Sequence, residues 1–158
     1  MRTLFATIAL ATLTFATASE ADAQDYRYEP GIVSLGIGLG DPTALDLKIW
    51  TTNSSGIDLG IGLERFDDVL GLYGEYEFGL ADFRLGQSGG RGVVYIGLGG
   101  AVAFTAEHTT VALIIPIGVD FRFRPPVDLY VEARPGVGLV HRPAFGIGGQ
   151  VGVRFRFR

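Results

Sequence analysis

Acidic and basic side chains recur at every second position through much of this chain, and that spacing decides what chemistry they can do. Asp46 and Lys48 are two apart, as are Glu75 and Glu77, Asp120, Arg122 and Arg124, Glu132 and Arg134, and Arg154 and Arg156. Side chains alternate faces along a β-strand, so residues two apart share a face. With Asp58, Glu64 and Asp128 added, eight acids and six bases fall on one face of a series of strands. Mixed charges on a shared face can neutralise one another. Turned inward, they fill a space with ion pairs; turned outward, they are solvated.

Other chemistry has thin support. His108 and His141 are the only histidines, and each lies in a connection between apolar stretches. Glu107 or Asp68 could orient one of them, but the nucleophile of a Ser–His–acid arrangement is missing. Ser34, Ser54, Ser55 and Ser88 map to the end of the molecule opposite the histidines. His108, His141 and Glu107 make a weak zinc set at most. Asp67–Asp68 lacks the ligand spacing of a calcium loop. Gly36-Ile37-Gly38-Leu39-Gly40 resembles a dinucleotide loop only in its glycines, because no helix follows it. With no cysteine, a disulfide framework, a thiolate metal site and a cysteine nucleophile are excluded. The net charge of −4 and the absence of a basic cluster argue against nucleic acid as a partner. The residues call for no cofactor, no metal and no catalytic role.

The elements that carry the charges follow one rule. In Phe145–Phe157 the odd positions read Phe, Ile, Gly, Val, Val, Phe, Phe, and the even ones Gly, Gly, Gln, Gly, Arg, Arg. The same alternation predicts eight strands, near 32–40, 44–51, 57–66, 70–81, 93–104, 111–124, 127–140 and 145–157. Turn residues separate them: Gly40-Asp41-Pro42-Thr43, Asn53-Ser54-Ser55-Gly56, Asp67-Asp68, Gly86 to Gly92 and Pro125-Pro126. Pro116 and Pro135 fall inside strands, where each removes a ladder donor. Short connections and an even count predict an all-β, eight-stranded antiparallel up-and-down β-barrel, with no second domain.

Volume and composition decide which face is outside. An eight-stranded barrel has an interior just wide enough for side chains to fill. One face carries Leu, Ile, Val and Phe at nearly every position, too much bulk for that interior, while the other is rich in glycine, of which the chain has 24. A water-facing exterior would also carry many lysines, and Lys48 is the only one. The apolar face therefore points to lipid, which makes the barrel transmembrane. Phe78, Phe83, Phe121, Phe123, Phe155 and Phe157, with Tyr28, gather toward the rim that holds both termini, and Phe66, Phe104 and Phe145 toward the other. These are the positions of interfacial aromatic girdles. The charged set then faces the lumen: Asp46, Lys48, Asp58, Glu64, Glu75, Glu77, Asp120, Arg122, Arg124, Asp128, Glu132, Arg134, Arg154 and Arg156. In so narrow a space each charge needs a partner, so a paired ionic plug and a closed lumen are expected.

The first residues read as a targeting segment. Arg2 precedes an apolar run from Thr3 to Thr17, and Ala21-Asp22-Ala23 is an A-x-A cleavage pattern. Residues 1–23 are expected to be a signal peptide and 24–158 the barrel, a size of about 135 residues that suits eight strands. Mean hydropathy is +0.31, yet beyond this segment no apolar run reaches the roughly 20 residues of a membrane helix.

With those residues in view, the exported chain resembles a small OmpA-like outer-membrane barrel. Gly40-Asp41-Pro42-Thr43-Ala44-Leu45-Asp46-Leu47-Lys48-Ile49-Trp50 is similar to a G-x-P-T-G-x-x-x-K-aromatic hairpin of an uncharacterised OmpA-like family of spirochaetes and other diderm bacteria. The run from Pro126 to Gly136 is similar to that family's P-x-x-x-x-x-E-x-x-P-G segment. The resemblance implies an outer-membrane location and no enzymatic activity. Its partners would be outer-membrane lipid and, during assembly, the barrel-insertion machinery. Two other readings are a lipid-modifying outer-membrane enzyme and a soluble periplasmic lipid-binding barrel.

Overall fold

Nine strands form, and all belong to one antiparallel sheet. In the computed structural model, residues 30–64, 69–86, 90–105, 107–123, 126–140 and 143–157 are described, without the side chains at 63, 64 and 69. The strands are β1 (Val33–Asp41), β2 (Thr43–Trp50), β3 (Gly56–Glu64), β4 (Val69–Leu85), β5 (Gly90–Phe104), β6 (Thr109–Ile114), β7 (Ile117–Arg122), β8 (Val127–Gly138) and β9 (Phe145–Phe157). The expected signal segment, Tyr28, Phe66, Asp67–Asp68, Ser88, Arg124 and His141 lie outside the described residues, as does the Glu64 side chain.

The sheet closes in a ring. Consecutive strands pair around it, except that β6 and β7 both pair with β5 and β8, and β1 pairs with β9 from Val33–Phe157 to Asp41–Gly149. Closure removes the open edges at which a sheet would otherwise recruit further strands. The ring is staggered. Stepping from partner to partner, Ser34 leads through Lys48, Asp58, Glu75, Gly99, Ile114 and Gly136 to Gly146 on β9. Ser34 itself pairs with Arg156, ten residues further along that strand. A stagger of this kind tilts the strands against the ring axis.

The alternation predicts eight strands; nine form because the sixth is interrupted at Ile115–Pro116. Proline has no N–H, so the ladder loses a donor there. Both pieces nevertheless lie between β5 and β8, and the offset between partners is the same on either side of the break. The neighbouring groups remain bonded, with Gly97 N–H donating to the Pro116 carbonyl and Ile115 N–H to the Pro135 carbonyl. Pro135 sits within β8, opposite Ile147. A second departure concerns Gly86 to Gly92, which reads as a loop. Strand pairing continues to Leu85–Gly90, past a bulge between Gly79 and Ala81. Gly92 is a strand residue here, paired with Phe83, whose ring lies where its Cβ would be. The bulge at Leu80 shifts the alternation by one residue, so that Phe78 before it and Phe83 after it both face outward, 51% and 42% exposed.

Inside the ring, large and small residues alternate to fill the space. A Cβ on Gly60 would run into the Tyr73 ring, one on Gly118 into Tyr95, and one on Gly152 into Tyr130. These glycines seat inward-lying aromatic rings against the strand backbone. Gly146 is different, since nothing lies within 4 Å of the Cβ it would carry. Gly152→Ala should therefore destabilise the fold by about 1–3 kcal/mol through overpacking, while Gly146→Ala should change stability by less than about 0.5 kcal/mol. Denaturant-unfolding midpoints of the two variants check this. Equal midpoints would contradict the packing.

Candidate functional site

The interior of the ring contains charge. Asp46, Lys48, Asp58, Glu75, Glu77, Asp120, Arg122, Asp128, Glu132, Arg134 and Arg154 are all buried. Their positions follow from strand register: each stands on the inward face of β2, β3, β4, β7, β8 or β9, alternating with an outward apolar residue. Arg156 is also inward but lies nearer the rim of the termini, where it is 3.0 Å from Asp128 and donates to the Phe123 carbonyl at 2.9 Å.

Arg154 is the hub. Its Nε donates to Asp46 at 2.5 Å, its Nη1 to Asp120 at 3.0 Å and its Nη2 to Asp58. The guanidinium also lies over the Tyr130 ring, 3.7 Å from the centroid. Arginine suits this place because its fork of donors can serve several carboxylates at once. Lys48 is the second centre. Its ammonium donates to Glu77, and to Asp120 at 2.7 Å, and it packs over Trp50 and Tyr95. Asp120 thus links the two cations. Arg134 forms a third group with Glu75 at 3.1 Å and lies over Tyr73. Its Nε and the Glu132 Oε1 are 2.5 Å apart, off the line of a hydrogen bond. Arg122 lies over Trp50 and donates to the Asn53 carbonyl at 2.7 Å.

Several members of this network carry no charge. Tyr130 donates to Asp46 at 2.7 Å, and Tyr95 to Glu132 at the same distance. Gln150 donates to the Pro42 carbonyl, and the Trp50 indole to Ser34. Counting charges alone overlooks these residues. What marks them in the sequence is a bulky polar aromatic on a face otherwise made of glycine and charge. Pairs between strands adjacent in the sheet are only a fraction of the arrangement. Arg154 on β9 reaches β2, β3 and β7, and Lys48 on β2 reaches β4 and β7, so most pairs span the lumen.

Asp58, Glu75 and Glu77 have ligand oxygens within 4.8 Å of one another, which is the spacing of a metal site. Each carboxylate already faces a cation, Arg154, Arg134 or Lys48, so the trio is part of the ion-pair network. Glu107 and His108 are exposed in the β5–β6 connection, where Thr105 hydrogen-bonds with the His108 backbone. Ser34, Ser54 and Ser55 are at the opposite rim, so the described residues bring no serine to His108.

The lumen is not charged throughout. Toward the rim away from the termini the inward residues become Gly71, Ala101, Ala103, Ala112, Gly136 and Gly138, around an open cavity of about 380 Å³. Arg134 and Tyr73 stand at its inner end. The charged section and this vestibule divide the interior along its axis.

Set against models of known families, curated proteins and solved structures, the chain matches none.

The network predicts a large difference between buried and surface pairs. Arg154→Leu takes away the cation that Asp46 and Asp58 share and leaves Asp120 to Lys48 alone, and should cost about 3–5 kcal/mol. Arg91→Leu breaks the rim pair with Asp82, whose side chain is 55% exposed, and should cost about 0–1 kcal/mol. Unfolding titrations of both variants in the same detergent test the contrast, and similar losses would contradict it.

Proposed function

We propose that this chain is an integral outer-membrane β-barrel with a charge-filled, largely closed lumen, serving a structural or surface-interaction role and carrying out no catalysis. The observation that carries the reading is the inverted distribution of polarity. Among the described residues, 28 large apolar side chains are exposed on the outside of the ring, while nearly all the buried long side chains are charged or polar aromatic. Water would penalise that exterior heavily, at about 25 cal/mol for each Å² of apolar surface. A bilayer core would not, and closed rings of strands satisfy their backbone groups internally, as lipid demands. On this reading β6 and β7 are one membrane-crossing strand bent at Pro116, and the barrel has eight.

The aromatic residues support the orientation. Phe78, Phe83, Phe123, Phe155 and Phe157 are exposed toward the rim of the termini, and Phe104 and Phe145 toward the other. Tyr76 and Phe78 pack edge to face, with centroids 4.7 Å apart. These are two interfacial girdles, and the rim of the termini faces the periplasm. The alternating hairpins and the A-x-A segment support a place among small OmpA-like barrels, exported by a cleaved signal peptide and inserted by the barrel-assembly machinery. The ion-pair network crosses the lumen from β2 to β7 and from β9 to β3, which supports a closed lumen over a general pore.

The protein should sediment with outer membranes, resist carbonate extraction, and migrate faster in gels when unheated. Release by carbonate, with identical heated and unheated mobility, would instead favour a soluble lipid-binding barrel; altered lipid A masses on expression would favour a lipid-modifying enzyme. Val151→Arg, on the outward face, should cost about 2–4 kcal/mol in a membrane-folding titration if it lies near the midplane. A neutral result would invert the face assignment. Planar-bilayer recordings should show no large, stable conductance, and porin-like currents would overturn the closed lumen.

A further inference from the structure

The mouth of the lumen at the rim of the termini carries charge that the ring does not balance. Arg84 on β4 stands opposite Arg91 on β5, and Arg91 stands opposite Arg122 on β7. Residues opposite one another on paired strands share a face, with Cβ atoms about 4.5–5.5 Å apart. The face is the inward one, because the next row is Asp82, Val93 and Asp120, and the last two are buried. Three arginines therefore stand side by side across three neighbouring strands. Like charges directly opposite destabilise a sheet. Elsewhere on this face such contacts are avoided or offset. Lys48 stands opposite Asp58 and Arg122 opposite Asp128, and where Asp58 meets Glu75 each faces an arginine.

Arg122 turns into the ring, over Trp50 and onto the Asn53 carbonyl, so the heads at the mouth are those of Arg84 and Arg91. One carboxylate is at hand, Asp82, 2.6 Å from the Arg91 Nη2. Arg84 is exposed and makes no ion pair among the described residues. The Arg91 side chain is 21% exposed, so both guanidinium groups can be reached from outside. A carboxylate's two oxygens lie in one plane and suit one guanidinium fork; the oxygens of a phosphate group point in several directions and can serve two. The level in the fold fits a phosphate as well. Phe83, between Asp82 and Arg84, is exposed on the outward face among the girdle aromatics, and such girdles mark the lipid–water interface, where head groups sit.

We propose that Arg84 and Arg91 hold one phosphate group at the mouth beside the termini, that of a phospholipid head group in the adjoining leaflet or of a soluble phosphate ester. The phosphate bridges the two guanidinium groups and competes with Asp82 for Arg91. The arginine row belongs to the sheet whether or not lipid surrounds it, and only the lipid source rests on the barrel reading.

The test is NMR of the arginine side-chain N–H groups of the folded protein in dodecyl maltoside, a detergent without phosphate. One arm adds sodium phosphate, compared with sodium chloride of equal ionic strength; the other adds short-chain phosphatidylglycerol. Saturable shifts at Arg84 and Arg91, without matching shifts at the buried Arg134 and Arg154, are expected. Saturation by sodium phosphate supports a soluble source, and saturation by phosphatidylglycerol alone supports the lipid head group. Arg84→Gln should weaken binding about tenfold, the value of about one charge-assisted hydrogen bond. Asp82→Asn should tighten it by freeing Arg91. Unchanged Arg134 and Arg154 signals report that each variant has folded. No saturable shift in either arm, equal shifts with sodium chloride, or an unchanged affinity in Arg84→Gln would overturn the proposal. A chain that stays in solution without detergent would contradict the membrane reading alone, and the phosphate arm would then be run in buffer.

Discussion

The space inside a closed ring of tilted strands is fixed by strand count and stagger, and that space is small. Everything else in this chain is arranged around the limit. Charges placed there have little water, so they must find each other. Arg154 illustrates the solution: one side chain serves Asp46, Asp58 and Asp120 from three different strands and packs on Tyr130. A lysine at the same place would present one point charge, and could not spread its donors over three directions. The plug is thus a cross-brace as well as an ion-paired core. It ties together strands that do not pair in the sheet.

The same limit explains the two uses of glycine and the outward apolar face. Tyrosine rings lie inside the ring where the neighbouring strand gives up its Cβ, as at Gly60, Gly118 and Gly152. Bulk that cannot fit inside goes outside, and Leu, Ile, Val and Phe cover the exterior. In lipid this arrangement satisfies both sides of every strand. The vestibule is where the rule relaxes. The charges stop at Arg134, the inward residues shrink to glycine and alanine, and room remains.

Much of this was legible in the sequence, because a period of two is a direct consequence of strand geometry. Positions such as Leu35, Ile37 and Leu39 against Ser34, Gly36 and Gly38 leave one reading for each face, and the structure places them so. Strand ends and breaks were less legible. Pro116 divides a strand without shifting its register, and alternation carries no mark of that, since the pattern continues through it. The bulge at Gly79–Ala81 reverses the parity, so strict alternation stops at Ala81 although the strand goes on to Leu85. Spacing put fourteen charges on one face, of which the twelve with described side chains lie inside the ring, but it could not give their partners. Pairing across a lumen depends on stagger, and stagger emerges only when β1 meets β9. The vestibule was hidden for the same reason, since its wall is drawn from six strands spread along the sequence.

The central claim is that one face of every strand contacts lipid and the other faces the lumen. The chain has no cysteine, so single cysteines can be placed along β9, one at a time from Ile147 to Phe155, and spin-labelled in proteoliposomes. Collision rates with oxygen, which partitions into lipid, and with a water-soluble nickel chelate then report each position's surroundings. The account predicts a period of two, with oxygen favoured at Ile147, Val151, Val153 and Phe155 and both reagents excluded at Gln150, Gly152 and Arg154. High nickel accessibility at the first set, or no alternation along the strand, would contradict it.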